Sequence, residues 1–111
     1  DTASLAVEAL VKDHLEVIAK LDPDTEHDIW MVAQIFLVAC FQEAADISSD
    51  PSRQLRLYRA ARDQVAIAQA ENVYGPGNVF YEILAETSAE VEAKLAKITL
   101  PETAGREPAC E

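Results

Sequence analysis

IWMVAQIFLVACFQEAA, residues 29–45, is the stretch that decides the fold. At 100° per residue, Ile29, Trp30, Met31 and Val32 already face four ways, and Ile35, Phe36, Leu37, Val38, Cys40 and Phe41 fill the rest of the circle. A helix that is apolar all round is expected to be buried on every side, so the remaining chain must supply its walls. A membrane span is the rival reading, and it needs roughly 20 mostly apolar residues. Here Gln34 interrupts the run, Glu26, His27 and Asp28 precede it, Gln42 and Glu43 close it, and residues 29–41 number 13. That length suits a core helix, and no membrane partner is expected.

The walls can be read on either side of this stretch. Upstream, residues 2–21 carry Val7, Leu10, Val11, Leu15, Val17, Ile18 and Leu21 as one apolar stripe, with Thr2 or Ser4 as the expected N-cap. Glu8, Lys12, Glu16 and Lys20 stand four apart on the other face, in the favourable Glu-before-Lys order. Pro23 breaks the chain, and Asp24 or Thr25 is expected to cap the central helix, which should run to about residue 47. Downstream, Asp50 before Pro51 is a strong helix start. That third helix should reach about residue 74 and bury Leu57, Tyr58, Ala61, Val65 and Ala68, with Gln54 and Asn72 at the ends of the stripe. Gly75 suits a left-handed C-terminal cap and Asn78 the next N-cap. The fourth helix should run to about residue 98 with Phe80, Ile83, Leu84, Thr87, Val91, Leu95 and Ile98 inward.

The expected fold class is therefore all-α: an up-down-up-down four-helix bundle over residues 1–98, followed by a flexible, disordered acidic C-terminal tail at 99–111. With 111 residues the chain makes one domain. The net charge of −11 repels phosphate, so no nucleic-acid partner is expected, and it keeps a bundle soluble. Cys40 falls in the core helix and Cys110 in the tail, which is neither a disulfide framework nor a metal motif. The chain begins at Asp1, as a trimmed or processed chain would. Cytoplasmic residence is the expectation, and a processed, exported form is the alternative.

Motifs for chemistry are sparse. Ser4, Ser48, Ser49, Ser52 and Ser88 sit in no nucleophile elbow, and three glycines are too few for phosphate-cradling loops. No Glu stands three before a His, as di-iron bundles require, so neither metal nor cofactor is expected. The spacing of Glu82, Glu86 and Glu90 reads as a solvated face. Enzymatic activity is thus the less favoured reading.

Two constellations stand out. In the up-down order the turns at 21–25 and 75–78 share one end, which gathers His27, Trp30, Tyr74, Asn78, Phe80 and Tyr81. His14 and Gln34 lie about 10 Å further in, at 1.5 Å rise per residue. A pocket at that end could take a small apolar or aromatic ligand; aromatics simply closing the bundle is the plainer account. Arg53, Arg56, Arg59 and Arg62 form the second, every third residue and opposite the apolar stripe of their helix. They suit an acidic protein partner or a second copy of the chain, or else salt bridges to neighbouring helices. The favoured function is a non-catalytic bundle acting by protein–protein interaction, as a homodimer or an adaptor. The alternative is a small-molecule-binding protein or small enzyme with its pocket at the bundle end.

Overall fold

A computed structural model of the chain describes residues 2–98. The expected tail at 99–111, with Cys110, lies outside the described residues. Four α-helices are present: α1 (Thr2–Ile18), α2 (His27–Asp46), α3 (Pro51–Glu71) and α4 (Val79–Lys97), with no strand among the described residues.

Local chemistry explains where each helix ends. Asp50 and Asn78 are N-caps as expected, their side chains accepting from the backbone N–H of Ser52 (3.1 Å) and Phe80 (2.8 Å). Four expectations need correction. Ser4 lies inside α1 rather than capping it, fully buried. The central helix starts after Glu26, not after Asp24 or Thr25. The N–H of Glu26 donates to the Asp22 carbonyl (2.8 Å), and the Glu26 side chain accepts from the Asp22 N–H (3.0 Å). These two bonds close the turn as a unit, so the helix begins only beyond it. Finally, α3 stops at Glu71 rather than near residue 74. The Asn72 side chain brackets Tyr74, accepting from its N–H and donating to its carbonyl, both at 3.2 Å. The left-handed glycine is Gly77 (φ 97°), not Gly75.

Helix directions follow from contacts between distant residues. The Tyr74 hydroxyl meets Asp28, joining the first turn of α2 to the loop after α3. At the other end Ser4 donates to the Ala44 carbonyl (2.7 Å) and Lys94 reaches Asp46 (3.2 Å). These pairings are what an up-down-up-down order requires. The two proline-bearing turns, 21–26 and 72–78, are therefore side by side at one end.

α2 occupies the centre, packed extensively on α3 and α1 and along one edge on α4, while α4 rests mainly on α3. The α3 stripe is buried as expected, and Ala61 and Ala68, with no exposed surface, let α2 come close. In α4, Leu84 and Val91 are buried, and Phe80, Leu95 and Ile98 pack against the core. At 20 residues α2 is long and apolar enough to cross a membrane by length and composition, a test that a core helix passes equally.

The expectation that α2 is buried on every side is overturned. Its Leu37 has no exposed surface, but Ile29, Val32 and Phe36 are 59%, 56% and 51% exposed. The reason is geometric: α1 and α4 do not approach each other, so the ring of helices stays open and α2 lacks a fourth wall. The α1 stripe is corrected likewise. Val11 and Ile18 are buried and Val7 packs against them, but Leu10, Leu15 and Val17 are exposed.

Leu37→Ala should therefore cost about 2–5 kcal/mol in urea denaturation, by cavity formation. Val32→Ala, on the outer stripe, should cost under about 1 kcal/mol. Similar losses at the two positions would mean that the outer stripe is covered after all.

Candidate functional site

The bundle end is built as the sequence suggested, but as a plug. The His27 ring lies 6.4 Å from Trp30, nearly parallel, and 5.6 Å from Tyr74; Tyr74 lies 5.8 Å from Phe80. Trp30 is buried beneath them. The Tyr74 hydroxyl donates to Asp28 (2.5 Å), which holds its pKa above the ordinary phenol value. His27 Nδ1 faces the Pro23 carbonyl at 3.1 Å; a carbonyl only accepts, so Nδ1 carries the proton. His27 Nε2 is buried with no hydrogen-bond partner. Asn78 is spent on capping. Tyr81 is turned outward, beside a cleft of about 350 Å³ that it shares with Gln69, Asn72, Tyr74, Leu84 and Ala85.

His14 and Gln34 do not enter that end together. Gln34 is buried facing α3, where its side-chain oxygen accepts from Gln64 Nε2 (2.5 Å). His14 lies on the α1 side of α2. Its Nε2 donates to the Ala33 carbonyl (2.9 Å) and its ring packs 4.8 Å from Phe36. Both side chains are satisfied by long-range partners that no local pattern announces.

His14 instead belongs to a surface shared by α1 and α2. Between α1 and α2 runs an open groove of about 600 Å³ with Val17 and Leu21 on one bank and Ile29, Val32 and Phe36 on the other; His14 and Ala33 form its floor. Leu10, one turn before His14 on the same side of α1, is also exposed and lengthens the apolar strip. On α2 the outward positions 29, 32, 36 and 39 follow a 3-4-3 spacing, the seam pattern of a helix awaiting another helix. A signal existed: one helix apolar all round, with only three others to cover it.

The arginine series divides. Arg53 reaches Glu8 (2.5 Å) and donates to the Ser4 hydroxyl (3.0 Å), and Arg56 pairs with the other Glu8 oxygen (3.1 Å). Glu8 thus ties α1 to the start of α3, rather than facing water in the row expected for it. Arg59 is exposed, and Arg62 stands 3.7 Å from Asp63 at the surface. The hydrogen bond from Arg56, and with it that from Arg53, holds the Glu8 carboxyl below its ordinary value of 4.5 against the opposing effect of burial.

A carboxyl lowered on folding stabilises the protein fully above its unfolded value and loses that effect as pH falls through its folded value. Glu8→Gln should therefore lower stability by about 1 kcal/mol at neutral pH. The gap from the parent should close as pH drops below the ordinary carboxylate value of 4.5 in acid-range thermal melts. A gap constant down to acid pH would show that the carboxylate charge contributes nothing.

No protein-family model, curated protein or solved structure matches this chain.

Proposed function

We propose that this chain is a protein-interaction module working through the outer face of its α1–α2 hairpin. One observation carries the reading: Leu10, Val17, Ile29, Val32 and Phe36, all large and apolar, are each about half exposed on adjoining helices. At about 100 Å² apiece they form a patch on the order of 500 Å², the size at which a monomer's largest apolar patch is often functional. Water contact with that patch costs free energy that a partner would recover.

The bundle-end pocket has weaker support. Small-molecule sites enclose most of their ligand, whereas the bundle end is filled by its own rings, His27, Trp30, Tyr74 and Phe80, packed on one another. The polar groups assigned to that pocket are also held elsewhere, Gln34 by Gln64 and His14 by the Ala33 carbonyl. An acidic partner on the arginines has half the charge it was built on, because Arg53 and Arg56 are engaged with Glu8.

A photo-crosslinking residue placed at Phe36 should give a discrete adduct in extract of the source cells, and the same residue at Glu86, an exposed position on α4, should not. Absence of any adduct from Phe36 would rule out this face as an interaction surface.

A further inference from the structure

We infer that the occupant of the α1–α2 face is a second copy of this chain, packed hairpin on hairpin about a two-fold axis. The inference rests on the interaction reading above and names the partner. Four observations support it.

The first is pattern. The outward seam of α2 at 29, 32, 36 and 39 is about 15 Å long, and its 3-4-3 spacing accepts the knobs of a facing helix. The occupant is therefore helical. The second is width. The apolar strip spans two antiparallel helices, with Leu10 and Val17 on α1 and Ile29, Val32 and Phe36 on α2. A single peptide helix fills the groove but leaves its banks wet. A two-helix layer covers both banks, and the layer with matching ridges is this same hairpin turned over, giving four helices around a shared apolar seam. The third is area. Two patches on the order of 500 Å² each bring about 1,000 Å² together, the size a specific interface has to reach. The fourth is exclusion. Residues 99–111 contain Leu100 as their one large aliphatic side chain, too little to cover five.

Charge gives the pairing a signature. Asp13, Lys20, Asp28 and Glu43 border the strip, and each chain carries a net −11. Two copies attract through apolar contact and repel through their acidic surfaces. Salt screens the repulsion, since the Debye length falls to about 3 Å at 1 M. Association with a second copy should tighten as salt rises. A basic amphipathic helix on the same face would bind more weakly as salt rises, which is the opposite sign.

Sedimentation equilibrium on the full chain, at low and high sodium chloride, tests this. The expected result is a reversible dimer whose dissociation constant falls with added salt. Val32→Glu should weaken it at least about tenfold, by forcing a carboxylate into the contact, with unchanged helical circular dichroism. Val17→Glu does the same from the α1 bank if the α2 variant folds poorly. Glu86→Lys on α4 should leave the dimer in place. A strict monomer at high concentration and high salt overturns the inference, as does a dimer indifferent to both substitutions or one that dissociates as salt rises. If the monomer still crosslinks from Phe36 to another polypeptide, only the identity of the partner fails. If it crosslinks to nothing, the interaction reading fails with it.

Discussion

A helix without a polar face must be enclosed, and a chain of this length has only three other helices to enclose it. α2 meets the constraint in part. α3 closes on it through Leu57, Ala61, Val65 and Ala68, all essentially without exposed surface. α1 covers a second side and α4 grazes a third. What is left over is the line through Ile29, Val32 and Phe36. The open ring of helices, the exposed flank of α1 and the groove over His14 are all consequences of that one shortfall.

Long-range polar bonds then fix how the helices sit on one another. Ser4 on the Ala44 carbonyl and His14 on the Ala33 carbonyl set the height of α1 against α2. Gln34 with Gln64 does the same for α2 and α3, and Asp46, taking Tyr58 from α3 and Lys94 from α4, ties three helices at the far end. Burial, then the bond to Asp46, pushes the Tyr58 hydroxyl well above the ordinary phenol range, so it remains a donor throughout the physiological range. Sliding a helix by one turn would strand the buried groups among these, Ser4, Gln34 and Tyr58, at about 1–3 kcal/mol apiece. Apolar packing alone tolerates such slips; these bonds do not.

Much of this was legible in the sequence. The α3 stripe from Leu57 to Ala68 has a single possible inward face, so periodicity named it correctly. Asp50 and Asn78 cap where their side chains can only cap. α1 was less legible because Leu5, Leu10, Leu15 and Val17 spread apolar surface well beyond one stripe, and only the position of α2 selects Val11 and Ile18 as the buried line. The shared end of the two turns was foreseen, and with it the ring cluster of His27, Trp30, Tyr74 and Phe80. The partners of Gln34, 30 residues on, and of Arg53, 45 residues back, left no trace in local pattern. Neither did the stopping of α3 at Glu71, which depends on the Asn72 side chain choosing Tyr74 over the helix.

The lopsided attachment of α1 has a dynamic corollary. Its backbone leans on α2 alone, and its ties to α3 run through Ser4 and Glu8 near one tip. Peeling it away from the Ile18 end breaks the His14 bond and little else that is polar, and it leaves the α2–α3–α4 trio intact. α1 is thus held along its length by α2 and tied to α3 at one tip only, so anything that grips the groove braces both helices of the hairpin at once.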